Sequence, residues 1–320
     1  MFTPKEVIFA PTGRCNLHCS HCRVERNKGE LDIGLAKTFL ESCAKAGIER
    51  LGFSGGEPFL RPDFLAEIIK STVALDMYFD RLMTNGVFWR TEKELDYALE
   101  AIYKSGFDGT LGLSHDIYHG QEADKLARFL SMVFKKSDRK DNVEILSVRS
   151  ENEKNLISDF EFIAKKLGGR LELSGSEPVR IVDNNFIANR AAMLDGASLY
   201  INILRFPYSA HASENAWNAA QWFHDDYCEG PGQLLYVHPD GSVAVCCGFA
   251  NERPELVIGS IKEDAGKLIE KAGEKATVKA RYEFGLGNTR KALEAQGVVF
   301  PGKSGDQCFF CDYLCHKGLA

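Results

Sequence analysis

Three closely spaced cysteines carry the first chemical signal in this chain. Cys15, Cys19 and Cys22, spaced Cys-x3-Cys-x2-Cys, offer three thiolates from one eight-residue stretch. A four-iron cluster takes four cysteine ligands, so a set of three leaves one iron open to a small chelating molecule. The alternative is a zinc site completed by His18, His21 or a distant cysteine. Structural zinc sites favour paired two-residue gaps, so the three-residue gap counts against zinc. Six more cysteines lie far along the chain: Cys228, Cys246, Cys247, Cys308, Cys311 and Cys315. Only Cys43 is isolated, on what reads as the apolar face of a helix, where a small core residue is expected. Clustered cysteines in a reducing compartment bind metal or do redox chemistry more often than they form disulfides.

Composition narrows the setting. A length of 320 residues favours about two domains. The balance of 39 basic and 45 acidic residues, net −6, argues against a nonspecific nucleic-acid binder. No run of about 18 apolar residues is present, so no membrane span is expected. The opening Met1-Phe2-Thr3-Pro4-Lys5-Glu6 lacks the charged head and apolar segment of a signal peptide, and a cytoplasmic protein is expected.

The elements that must position these residues alternate in period. Strand-like runs at Glu6 to Ala10, Arg50 to Phe53, Asp80 to Met83, Gly109 to Leu113, Val143 to Val148 and Arg170 to Leu173 are separated by helical patterns. Those patterns cover Gly34 to Ala46, Pro62 to Ala74, Glu92 to Tyr103, Gln121 to Lys135 and Asn152 to Leu167. Six such units imply an α/β fold with a parallel sheet, curled as a partial barrel or open. The strands run into Thr12-Gly13-Arg14-Cys15, Ser54-Gly55-Gly56-Glu57-Pro58, Thr84-Asn85-Gly86, Ser114-His115-Asp116 and the neighbourhood of Arg149. In parallel α/β folds the carboxyl ends of the strands carry the chemistry, so these clusters form one candidate site. Past residue 183 the alternation stops. His238-Pro239-Asp240-Gly241 then marks a hairpin, Lys262 to Gln296 is charged and helix-prone, and the tail is compact and cysteine-rich.

Cys15-x3-Cys19-x2-Cys22 after the first strand resembles the signature of the radical S-adenosylmethionine (SAM) superfamily. Gly55-Gly56-Glu57-Pro58 after the second strand looks like that superfamily's methionine-binding motif. The resemblance implies a partial (β/α)6 TIM barrel over residues 1–183, a four-iron cluster whose open iron binds SAM, and a 5′-deoxyadenosyl radical as the reactive species. It also implies an electron donor such as flavodoxin or ferredoxin. His21 stands where the family has an aromatic residue. Glu57 is expected to accept from the SAM ammonium, and Gly55 and Gly56 let the backbone approach it. Ser114 and Asp116 are placed to meet the ribose or carboxylate of SAM, or else cap the following helix. Arg149 either pairs with the SAM carboxylate or is a surface arginine. His115, Tyr118 and His119 are candidates to face substrate.

Cys228, Gly241-x4-Cys246 and Cys308-x2-Cys311-x3-Cys315 resemble the auxiliary-cluster extension called SPASM, or its shorter twitch form. This implies a C-terminal iron–sulfur domain over 184–320 with one auxiliary four-iron cluster. Cys228, Cys246, Cys308 and Cys311 are the preferred ligands, with Cys315 as substitute or extra; the alternative is a zinc knuckle. Cys247 is left over. On a strand it would face away from Cys246, toward the barrel mouth, where a thiol can give a hydrogen atom to a carbon radical. The similarity extends to radical SAM peptide epimerases, in which the second cysteine of such a pair quenches the radical, and more distantly to aminoglycoside epimerases. The substrate class is therefore a peptide or a small molecule, and the runner-up reaction is a cross-link or an oxidation. Two four-iron clusters predict about eight irons per chain after anaerobic reconstitution, and a zinc protein almost none.

Overall fold

A computed structural model describes residues 2–25, 29–137, 142–148, 153–172, 179–182, 198–204, 214–224, 228, 230, 233–248 and 250–319. In chain order the strands are β1 (Glu6–Phe9), β2 (Arg50–Phe53), β3 (Tyr78–Thr84), β4 (Thr110–Ser114), β5 (Val143–Val148) and β6 (Arg170–Glu172). They continue with β7 (Val179–Val182), β8 (Ser198–Leu204), β9 (Leu234–Val237), β10 (Ser242–Ala244) and β11 (Val257–Ser260). The helices are α1 (Ile33–Lys45), α2 (Pro62–Ala74), α3 (Glu92–Lys104), α4 (Ala123–Ser137) and α5 (Glu153–Lys166). After them come α6 (Ala265–Glu274), α7 (Ala276–Tyr282), α8 (Leu286–Ala295) and α9 (Gln307–His316).

Local chemistry sets the helix starts. The Asp32 carboxylate accepts from Leu35 N at 2.8 Å to open α1, and Thr91 with Glu94 forms a capping box at α3. Pro62 supplies a preset φ at the first position of α2. Asp306 accepts from Phe309 N to start α9. The strands read as expected from their apolar content: Leu82, Leu111, Leu113 and Ile145 are fully buried.

Two compact units result, each mixed α/β. The first combines Met1–Gly13, Arg23–Gly55 and Pro207–Ala320. Its sheet pairs β1 in parallel with both β2 and β9, and β9, β10 and β11 continue antiparallel. The second unit combines Arg14–Cys22 with Gly56–Phe206. There β3, β4, β5 and β8 are successive parallel neighbours.

The sixth unit of the sequence pattern differs. The strand begins at Arg170 as expected, but β6 pairs antiparallel with β7, and β7 antiparallel with β8. The second parallel neighbour of β5, after β4, is β8, past residue 183, where the alternation reads as finished. Periodicity marks a strand but carries no information about its direction or partner. The Cys246–Cys247 pair also departs from the strand picture. β10 ends at Ala244 after a register shift against β11, so both cysteines lie in the bend that follows. The cysteine-rich tail is a helix, α9.

Candidate functional site

The first cysteine cluster is held by side chains, because its own loop has no regular structure. Cys15 and Cys19 are half-buried and Cys22 is exposed. Leu17 N donates to Cys15 Sγ at 3.4 Å, and Cys22 N donates to Cys19 O. Asn85, just past the end of β3, is the main tie. Its Nδ2 donates to Asn16 Oδ1 at 2.8 Å and to Cys15 Sγ at 3.6 Å, while its Oδ1 accepts from Val87 N. Asn16 Nδ2 donates in turn to Val87 O.

Glu57 lies beneath this junction, only 1% exposed. One carboxylate oxygen accepts from Thr84 Oγ1 at 2.9 Å and Phe59 N at 3.2 Å, and the other from Asn85 N at 2.8 Å. Burial nonetheless pushes its carboxyl up to about 7, against these three donors. Three protein donors thus meet the carboxylate that the sequence motif offers to the ligand ammonium. Pro58, buried beside it, opens a 3-10 turn to Leu60. Gly55 has φ +113°, and an added Cβ would lie 2.9 Å from Ala10 Cβ, so only glycine fits there. Gly56 follows it, half-buried.

Ser114 is half-buried at the end of β4, and its carbonyl accepts from Gln121 Nε2, which also donates to Asn85 O at 2.5 Å. His115 Nδ1 donates to Gln121 Oε1 at 2.9 Å. Asp116, 2% exposed, does not cap α4. One of its oxygens accepts from Tyr118 N, His119 N and His119 Nδ1, the last at 2.7 Å, closing the turn from 116 to 119. Burial pushes the Asp116 carboxyl up, but His119 and the charge of His21 hold it below the usual range. Its other oxygen is buried without a hydrogen-bond partner, 3.9 Å from His21 Nε2. The His21 ring meets Tyr118 and His119 edge-on at 5.4 and 4.8 Å. This unpaired acceptor beside an aromatic wall fits a hydroxyl-bearing adenosyl group. Arg149 lies outside the described residues.

In the first unit a second set of thiols gathers around the bend after β10. Cys246 is 8% exposed and accepts from Gly248 N at 3.3 Å. Burial pushes its thiol up, and Cys311, Cys247, Cys228 and Cys308 act on it in the same direction. A Cβ on Gly248 would lie 3.5 Å from Cys308 Sγ and 3.8 Å from Cys246 Sγ, so the backbone leaves room at the thiols. Cys308, Cys311 and Cys315 occupy positions i, i+3 and i+7 of α9 and share one face. Trp217 packs edge-on against Phe309, Phe310 and Tyr313 of that helix, with centroids 4.8–6.4 Å away. Cys315 is buried and Cys247 is exposed. Cys43 is fully buried in α1, as its apolar setting predicts.

The donor sets are rich in thiols, three cysteines in one group and six in the other, and cysteine sulphur is what a four-iron cluster takes at its irons. Among the described residues, the three-residue set with all donor atoms within 4.8 Å is His21, Asp116 and His119.

The profile of the radical SAM superfamily matches residues 9–145. That stretch holds Cys15, Cys19, Cys22 and the Gly55-Gly56-Glu57-Pro58 turn. The radical SAM family uses a four-iron cluster and SAM, and the cysteine-rich C-terminal region is consistent with an auxiliary domain. The PqqA peptide cyclase of Gluconobacter oxydans is 36% identical over 109 residues, covering 33% of this chain and 28% of that enzyme. The GTP 3′,8-cyclase of Chlorobaculum tepidum is 32% identical over 127 residues, covering 38% of this chain and 36% of that enzyme. The chain thus spans about a third of the length of these curated relatives. Among solved structures, anSMEcpe with bound AdoMet and Cp18Cys peptide is similar at TM-score 0.59 and 15% identity, over 99% of this chain and 95% of that one. Streptococcus suis SuiB bound to S-adenosylmethionine is similar at TM-score 0.56 and 14% identity, over 88% of this chain and 68% of that one. Among the described residues no helix is long and apolar enough to cross a membrane.

Asn85, Gln121 and Arg281 of α7 are among the polar residues at these sites to which the sequence pattern assigns no role. Asn85 had a visible signal, the Thr84-Asn85-Gly86 cluster at a strand end; Gln121 and Arg281 had none.

Glu57 gives the radical SAM domain a distinctive pH dependence. Its folded-state pKa, about 7, lies above the ordinary 4.5, so the folded chain holds the proton more tightly. The resulting stabilisation is full below pH 4.5 and is lost as pH rises to 7. Relative to Glu57→Gln, the parent protein loses on the order of 3 kcal/mol across that window. Denaturant unfolding at a series of pH values measures this, and parallel curves for the two proteins refute it.

Proposed function

We propose that this chain is a radical SAM enzyme that epimerises a residue of a peptide, with Cys247 as the hydrogen-atom donor. The observation that carries the reading is the exposed Cys247 thiol beside the buried Cys246 thiol, one of two cysteines beyond the four that a cluster takes. Support for a peptide substrate comes from two sources: similarity to PqqA peptide cyclase, and the fold shared with SuiB bound to the precursor peptide SuiA. A sugar carbon is the small-molecule version of the same chemistry.

Cys15, Cys19 and Cys22 hold the first cluster, and Cys228, Cys246, Cys308 and Cys311 the auxiliary one, with residues 1–183 serving SAM and 184–320 the auxiliary cluster. When bound, the first cluster and SAM supply a 5′-deoxyadenosyl radical and methionine. His21, Gly55, Gly56, Pro58, Ser114 and Asp116 shape the SAM pocket. Asp116 offers its open oxygen to a ribose hydroxyl, and Glu57 fixes the loop on which the ligand rests. Arg149, outside the described residues, pairs with the SAM carboxylate on this reading. The substrate carbon loses hydrogen from one face, and the Cys247 thiol returns one to the other. The sulphur radical left on Cys247 then takes up one electron and one proton before the next turnover. A flavodoxin- or ferredoxin-type protein delivers the electrons, and the cytoplasm suits this many reduced thiols.

A second reading, cross-linking or oxidation of a peptide, is favoured by the name of the PqqA relative. Cys247→Ala separates the two. On the epimerase reading the variant still cleaves SAM to 5′-deoxyadenosine but yields no inverted product. The parent enzyme in D2O places one deuterium in each product molecule. Normal product from the variant refutes the donor role; absence of SAM cleavage in the parent favours a noncatalytic metal-binding scaffold.

A further inference from the structure

Arg281 is buried in the first unit at 7% exposure, a costly place for a guanidinium that lacks counter-charge. Its Nε donates to Cys311 Sγ at 2.8 Å and its Nη2 to Cys315 Sγ at 3.1 Å. Nη1 donates to Thr277 O one turn back in α7, which fixes the plane of the fork. The nearby carboxylate of Asp312 is engaged by Arg253 Nε at 2.6 Å. Among the described residues Arg281 has no carboxylate partner, so thiol sulphur is what its charge answers to.

The six thiols around this point are not equivalent. Cys246 and Cys308 each feel Cys228, Cys247 and Cys311. Cys315 pairs instead with Cys311 and Arg281, four residues further along the same face of α9. Cys311 Sγ therefore has two donors, Arg281 Nε and the Cys315 thiol.

Resting on the auxiliary-cluster reading above, we infer that Arg281 is a positioning residue that raises the reduction potential of the auxiliary cluster through Cys311, and that Cys315 is a hydrogen-bond donor outside the ligand set. The physical cause is charge. Four thiolates around a four-iron core carry net negative charge, and reduction adds one more. A fixed cation and N–H···S bonds at a ligand sulphur favour the reduced form. The cluster becomes an easier acceptor for one electron, whether that electron comes from substrate or from a partner protein.

The test uses the full chain in a Cys15→Ala, Cys19→Ala, Cys22→Ala background, so that only the auxiliary cluster loads. Iron analysis should give about four irons, and a potentiometric titration followed by electron paramagnetic resonance gives the midpoint. Arg281→Gln should keep the iron and shift the reduction equilibrium at least tenfold toward the oxidised form, about 59 mV for one electron. Arg281→Lys, with its charge but no fork, should fall between. Cys315→Ala should keep the iron and Cys311→Ala should lose it.

An unchanged midpoint in Arg281→Gln with iron retained overturns the inference. Should Arg281→Gln fail to load, a midpoint below the parent's in a loaded Arg281→Lys upholds it, and one equal to the parent's overturns it. Iron loss in both variants assigns Arg281 to holding α9 and overturns the redox role. Iron lost from Cys315→Ala but kept in Cys311→Ala reverses the ligand assignment. A background chain that binds no iron refutes the auxiliary-cluster reading itself, and this inference with it.

Discussion

A carboxylate deprived of water must be met by donors, and Glu57 is the point at which this chain accepts that demand. The three groups that answer it are Thr84 Oγ1, Asn85 N and Phe59 N. They come from the end of β3 and from the turn just after Glu57 itself. Once Asn85 N is committed downward, its side chain is directed toward Asn16 and Cys15. Its carbonyl is taken by Gln121, which also grips Ser114 O at the end of β4. A loop without regular structure thus inherits its geometry from two strand ends through a few side-chain amides. Sub-ångström placement of a cluster or ligand needs rigid supporting elements of this kind.

The other cysteine set is held by different physics. Cys308, Cys311 and Cys315 ride on one face of α9, so their mutual spacing is fixed by helix geometry. The helix in turn is fixed by aromatic packing. Trp217, Trp222, Phe223 and Phe300 surround Phe310 at centroid distances of 5.1–6.4 Å. Hydrogen bonds orient the first set, and apolar contact orients the second. The difference matches exposure, since the loop thiols stay open toward a ligand while Cys311 and Cys315 are sealed from solvent.

Local pattern made much of this legible. β2, α2 and β5 fall at their expected bounds because each is a short apolar or amphipathic run with clear punctuation. The cysteine spacings and the Gly-Gly-Glu-Pro turn were readable for the same reason, since their chemistry is compressed into a few consecutive residues. What stayed hidden is what depends on pairing across long separations. The direction of β6, the place of β8 beside β5, and the grip of Arg281 on residues 30 and 34 positions away leave no local trace. The separation of Cys246 from Cys247 was anticipated as two faces of one strand. It is instead produced by a bend after β10, whose register shift no periodicity announces.

The parallel pairing of β1 with β9 has a consequence for how the chain is made. Glu6 sits opposite Leu234, and Phe9 opposite Val237. A ribosome adding about 5–20 residues per second leaves that side of β1 without its partner for roughly ten seconds or more. During that interval the nascent chain carries an open, apolar sheet edge, the kind of surface that recruits chaperones or pairs with a neighbouring chain. Closure waits for the hairpin of β9 and β10, whose tight turn at Gly241 (φ +84°) needs only local contacts to form. β1 is thus completed only once residue 237 has been made, and synthesis of that distant segment doubles as the step that shields it.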